Sequence, residues 1–412
     1  MNVHKTEWGW KMTSAHDART RMLLAHVLII EIVAVAMIFL YGRIDYTKQP
    51  FCGWDLKAYR TMAQASPGLA ADVSKPFAYR IVGPYVAGLL PLDDPAAFYV
   101  LAVAFSLCLA TVFYGFLCYE GVEPNTAMIA TILLIFNKYW FGFNVWNPFQ
   151  INDLLSLLLL PALFWTMWRE KWLAYAFLML VGVAARETVL LMMPVAFVYL
   201  WEKRKPRSQW QAALAATAPA LAAFVLLRAF VPVGGGKGLS EALLIHVRKI
   251  GSPDALFQLL VNPLLPLSLL PLVFLEDTIS FFRARKHALL FVALVFASTF
   301  FGSDRERLMA PAFVVAYLLI AKILERMRHE KAFIGILLAA SFLTAYHPTV
   351  TRFPLPGARS IVFAAWIGVL LAVTAVSIGY RGRRGLAEES GIDADWSGAA
   401  SESAGQTISR AA

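Results

Sequence analysis

Charge is scarce in this sequence. Asp, Glu, Lys and Arg make up only 16% of the 412 residues, against roughly 25% in an average soluble domain. Cysteine is scarcer still, at 3 residues. Cys108 and Cys118 fall on one apolar run, about 15 Å apart along a helix axis, which excludes a bridge between them. No CxxC or Cys/His cluster offers a metal site. HExxH and GxSxG are absent, so metalloprotease and elbow-type hydrolase chemistry lack support. Gly234-Gly235-Gly236-Lys237-Gly238 fails as a P-loop, because Val231 stands where the first Gly is required and Gly238 where Ser or Thr is.

Apolar surface takes the place of charge. Hydrophobic residues make up 59% of the chain and the mean hydropathy is +0.61. A folded sphere in water needs a polar skin, so lipid is the solvent for much of this one. The fold class expected is all-α, a polytopic transmembrane bundle of about eleven or twelve spans. The candidate runs are 22–42, 96–118, 126–143, 151–168, 172–185, 188–201, 209–231, 258–275, 288–301, 308–323, 332–346 and 360–380. Several are shorter than the roughly 20 residues of an upright span, which implies half-helices. A segment 1–21, a transmembrane domain 22–380 and a disordered tail 381–412 complete the organisation. The first run is too long for a signal-peptide core and lacks a small-residue cleavage site, so it reads as an uncleaved anchor.

The net charge of +10 is not a nucleic-acid signal, because the basic residues flank the apolar runs. That is the positive-inside pattern. With both termini cytoplasmic, more than half of the Lys and Arg fall inside. The basic pairs around Arg169 and Lys203 then bracket a short excursion whose outer apex is Ala185-Arg186-Glu187-Thr188. A long outer loop, 43–95, holds two interfacial helices, Trp54 to Ala65 and Pro76 to Leu90, the second kinked at Pro84. The aromatics Tyr139, Trp140, Phe141, Phe143, Trp146 and Phe149 read as an interfacial belt.

Charges at membrane depth are expensive and therefore functional candidates. On the outer side they are Asp45, Asp55, Arg80, Asp153, Arg186, Glu187, Asp304, Arg305, Glu306 and Arg307. Arg can hold a phosphate bidentately, and a carboxylate can take a proton from an attacking hydroxyl. Each has a plainer reading. Asp55 can be the N-cap of the helix after it, Asp153 the cap of a helix from Leu154, Arg186 and Glu187 interhelical glue, and 304–307 a solvated loop. Glu31, within the first span, faces other helices.

The pattern resembles the GT-C membrane glycosyltransferases over residues 22 to 325. Trp54-Asp55-Leu56-Lys57-Ala58-Tyr59 and Pro76-Phe77-Ala78-Tyr79-Arg80-Ile81-Val82-Gly83-Pro84 carry the likeness, followed by Asn152-Asp153, Arg186-Glu187 and Asp304-Arg305-Glu306-Arg307. The resemblance implies transfer of a sugar from a polyprenyl-phosphate donor to an acceptor hydroxyl on a glycan or lipid, at the outer face of the cytoplasmic membrane. It implies Asp55 as base with Asp45 in reserve, and Arg80, Arg186, Arg305 and Arg307 on the lipid phosphate. Tyr79, Asp153, Glu187 and Asp304 complete the substrate site. No cofactor is expected, and without a DxD or ExD pair in the loop no divalent metal is assigned. Competing readings are a transporter or flippase of lipid-linked saccharides and a polysaccharide polymerase.

The charge pattern makes a topological prediction. Single cysteines introduced as Lys57→Cys and Lys203→Cys should label from opposite sides of sealed membranes; labelling of both from outside would defeat the orientation.

Overall fold

The computed structural model describes residues 4–47, 56–235, 252–301, 304–346, 350–353 and 356–389. Asp55, the glycine-rich residues 236–238 and the tail from 390 lie outside them. Every regular element among the described residues is helical. In chain order the longer helices are α1 (His4–Tyr41), α2 (Leu56–Ala65), α3 (Val82–Leu89), α4 (Asp94–Tyr119), α5 (Pro124–Ile135), α6 (Ile151–Trp168), α7 (Trp172–Ala185) and α8 (Met192–Glu202). There follow α9 (Arg207–Phe230), α10 (Pro253–Leu260), α11 (Leu275–Ala284), α12 (Lys286–Ser298), α13 (Phe313–Arg326), α14 (Lys331–Ala345) and α15 (Ala358–Glu389).

Five stretches are long and apolar enough to cross a membrane: Ala18–Tyr41, Asp94–Tyr119, Pro148–Trp168, Arg207–Phe230 and Arg359–Gly379. Counting each sharply bent helix pair as one span raises this to 8. The expectation of about eleven or twelve spans therefore holds only in its coarser form, an all-helical protein with several helices apolar enough to cross a membrane. The shortfall has local causes. Asn137 ends α5 by accepting the N–H groups of Tyr139 and Trp140 at 3.0 and 2.9 Å, and the chain bends by 61° there. Between Pro253 and Val273 it bends by 101° through a run containing Pro263, Pro266 and Pro271, each lacking a helix donor. The pieces 172–185 and 331–345 remain short apolar helices. In the outer loop, the second expected helix splits into a 3-10 turn Phe77–Tyr79 and then α3, with Pro84 in the first turn of α3.

Helix ends gather at two poles. The start of α6, the turn joining α7 to α8 and the stretch 304–308 meet at one, through ion pairs of Asp153. At the other, Trp168 Nε1 donates to His287 Nε2 at 3.2 Å, and His287 Nδ1 bonds Glu202 at 2.8 Å. With Nε2 accepting, the neutral imidazole carries its proton on Nδ1. Trp172 Nε1 donates to Gln209 at 2.6 Å beside them. The core between the poles is aromatic: Phe113, Phe164, Phe291 and Tyr317 are fully buried, with Phe164 and Phe291 edge to face at 5.2 Å. Glu31 faces another helix, accepting from the Thr111 hydroxyl of α4.

The aromatic run is a correction. Trp140, Phe141, Trp146 and Phe149 are buried and form no lipid-facing belt. Phe149 packs on Phe98 at 4.4 Å and Tyr46 at 4.8 Å, and Trp140 on Tyr317 at 5.8 Å. Bent at Asn137, the segment turns its rings into the protein.

Close backbone approach fixes how α2 and α3 pack. A Cβ on Gly88 of α3 would overlap the carbonyl oxygen of Ala63 on α2, and backbone cannot step aside as a side chain does. Gly88→Ala should lower stability by about 1–3 kcal/mol, read as a reduced thermal midpoint of the detergent-solubilised protein. An unchanged midpoint would mean that α2 and α3 are not held at this distance.

Candidate functional site

Five elements bring one set of charges together. Asp153 lies in the first turn of α6, where the helix dipole favours a carboxylate. It does not cap that helix, which starts at Ile151 with Gln150 before it and no side-chain cap. Its carboxylate instead ion-pairs with Arg186. Both side chains are about 2% exposed, so the pair is sealed in the protein. Arg186 reaches it because its backbone is extended, φ −158°, between α7 and the 3-10 turn Glu187–Leu191. Arg307 Nε approaches the same Asp153 oxygen at 3.5 Å and Asp304 at 3.2 Å.

Arg80 completes the group from the segment between α2 and α3. It is held by its backbone: the Asn152 side-chain amide donates to Arg80 O at 2.9 Å and accepts from Gly83 N–H at 2.9 Å. A Cβ on Gly83 would stand 2.6 Å from that Asn152 oxygen, so glycine is what lets the loop close on α6. The Arg80 guanidinium meets Glu187 in a two-point bond, Nη2 to Oε1 at 2.6 Å and Nε to Oε2 at 3.1 Å. Burial pushes the Glu187 carboxyl up, but the Arg80 charge and hydrogen bonds overrule it and hold the group at about 2.

The sequence candidates thus divide. Arg186, Asp153, Arg307 and Asp304 form one chain of ion pairs, and the Arg80–Glu187 pair abuts it through the adjacent residues Arg186 and Glu187, so that the six make one charged network. Tyr79 borders it, its ring facing the Arg228 guanidinium at 4.7 Å. Arg305 opens the helical turn Arg305–Leu308. Asp45 is exposed and bonded locally, accepting from Thr47 N–H at 3.0 Å and its hydroxyl at 2.6 Å. Asp55 lies outside the described residues, one position before α2. Exposure grades across the network: Asp304 at 39% and Glu187 at 28% form its open edge, Arg307 at 17% stands behind them, and Arg186 forms the floor.

Two neighbours escaped the sequence reading. Arg228, in the last turn of α9, lies close enough to feel the charges of Glu187 and Arg80; a lone Arg at the end of an apolar run was the available signal. Asn262 was unmarked. Its amide donates to Tyr139 Oη at 2.7 Å and to Glu306 Oε1 at 2.9 Å. Burial pushes the Glu306 carboxyl upward, which makes it a second acid–base candidate. Among the described residues no group of three or more His, Cys, Asp or Glu could hold a metal ion.

Breaking one partner of a buried pair leaves a bare charge, at about 3–5 kcal/mol. Asp153→Asn should therefore destabilise the purified protein on that scale in a denaturant titration, and adding Arg186→Met should recover part of the loss. An Asp153→Asn protein as stable as the parent would remove the pair as a structural element. For Glu187 the sign is fixed by its depressed value. Its contribution is fully present above the ordinary carboxylate value of 4.5 and is lost as pH falls from there toward about 2. Glu187→Gln should flatten the acid limb of the stability curve in that window.

No protein-family model matches the chain, and no curated protein or solved structure matches it either.

Proposed function

We propose that this membrane protein is a glycosyltransferase that moves a sugar from a polyprenyl-phosphate donor to an acceptor hydroxyl of a glycan or lipid. On this reading the chain crosses a cytoplasmic membrane several times, both termini are cytoplasmic, and the charged network faces outward. The observation that supports it is the meeting of Arg80, Arg186 and Arg307 with Asp153, Glu187 and Asp304 in one network at a helix pole. Three guanidiniums in a partly dry setting suit a phosphate leaving group, because Arg stays charged there and offers paired donors.

The reaction asks for little else. The acceptor oxygen attacks the anomeric carbon, its proton passes to a carboxylate, and the bond from carbon to phosphate oxygen breaks, leaving polyprenyl phosphate. Arg307 stands nearest the open edge and takes the departing phosphate, while the Asp153–Arg186 pair fixes the floor. Asp55 is the base and Asp45 the reserve.

Asp55→Asn keeps the shape and the capping oxygen but removes the proton acceptor. Transfer from a polyprenyl-phosphate-linked sugar should fall by roughly 10² or more in a protein that inserts normally. Arg307→Gln should weaken donor use about tenfold, the scale of one charge-assisted hydrogen bond. Full activity in Asp55→Asn, Asp45→Asn and Glu306→Gln alike would end the general-base reading.

A further inference from the structure

The pole opposite the charged network holds a cavity of about 470 Å³ lined by Leu200, Trp201, Glu202, Arg204, Lys205, Trp210 and Lys286. It sits where three helix ends meet: the end of α8, the start of α9 and the start of α12. Its charges are unequal in number and in commitment. Glu202 is engaged by His287 at 2.8 Å and Lys203 at 3.3 Å, and Lys205 is paired with Glu170 at 2.5 Å. Arg204 and Lys286 have no carboxylate partner among the described residues. Both are exposed, and the Lys286 ammonium stands 5.2 Å over the Trp201 ring. Two uncommitted cations on one cavity wall are a site short of an anion.

The surroundings say at what depth the anion lies. Trp201 is 60% exposed at the end of an apolar helix, the usual place of a headgroup-level tryptophan. Leu173, Leu214 and Phe177 are exposed on the helices that flank this pole, and such apolar faces belong against acyl chains. A phosphate reaching Arg204 and Lys286 in this position arrives most readily on a lipid. We infer that the cavity binds the phosphate of an anionic phospholipid headgroup, with Arg204 and Lys286 as its ligands, Trp201 as a wall and the acyl chains against the flanking apolar faces. Basic pockets between helix ends are suited to this chemistry. The site is separate from the charged network: Glu202 and Glu187 are divided by the 3-10 turn Glu187–Leu191 and by α8, which alone rises roughly 16 Å.

The test uses the full chain in phosphatidylcholine nanodiscs or in the same discs doped with phosphatidylglycerol, with lipid retained on the protein read by native mass spectrometry. Phosphatidylglycerol should be retained selectively over phosphatidylcholine. Arg204→Gln and Lys286→Gln should each weaken that retention about tenfold, and the double variant should abolish the selectivity. Lys75→Gln in the outer loop should leave it unchanged. Each single variant removes one exposed cation, so at least one folded protein is available for comparison. Equal retention of the two lipids, or unaltered selectivity in a folded single variant, would overturn the site. Inorganic phosphate displacing phosphatidylglycerol at millimolar concentration would overturn the lipid source and assign the cavity to a soluble phosphate.

Discussion

A guanidinium cannot be left bare inside a protein that is itself dissolved in lipid. The cost of an unpaired charge there is several kcal/mol at least, and Arg186 is about 2% exposed. Everything around it answers that constraint. Asp153 must be presented by the first turn of α6, the α7–α8 connection must run extended so that the side chain turns inward, and the outer loop must come close enough to place Arg80 on Glu187. Asn152 and Gly83 make that approach possible through two hydrogen bonds and a missing Cβ. The site is therefore not an ornament on a finished bundle: its ion pairs decide how the helix ends are arranged.

The same arrangement separates structural from chemical roles. The deep pair Asp153–Arg186 is an ion pair about 2% exposed on both sides. Groups nearer the surface, Arg307 and Asp304, form an ion pair at 3.2 Å and are partly open. On the proposed function, a donor phosphate would enter from this edge and meet cations whose present partners it can replace, while the floor stays fixed. That division is what preorganisation requires: rigid charges below, exchangeable ones above.

Much of this was legible in the sequence, for reasons that also explain what was not. Long apolar runs gave the spanning helices nearly to their ends, as at 94–119 and 207–230, because lipid enforces helix and the periodicity cannot mislead. The grouping of Arg80, Asp153, Arg186, Glu187 and Arg307 was legible because intramembrane charges must find each other. Their pairing was not. Asp153 read slightly better as a cap, and the actual start of α6 at Ile151, with no side-chain cap, decides the matter. The aromatic run 139–149 looked like a belt because composition does not say which way a bent chain turns, and the bend is made by one side chain, Asn137. The stretch 258–275 read as one span although Pro263, Pro266 and Pro271 were in plain view, since its mean hydropathy outweighed its punctuation.

The shortness of α7 has a consequence for the surrounding lipid. Its 14 residues rise only about 21 Å, against a hydrocarbon core of about 30 Å. Arg186 stands at the top of that rise. On the proposed topology, either the bilayer thins around this face of the protein or the charged floor lies below the level of the phosphate groups outside it. Both cases are forms of hydrophobic mismatch, and both bring polar lipid groups inward toward the network. Acyl-chain length then becomes a property of the host membrane to which this protein is directly coupled, through a helix two turns too short.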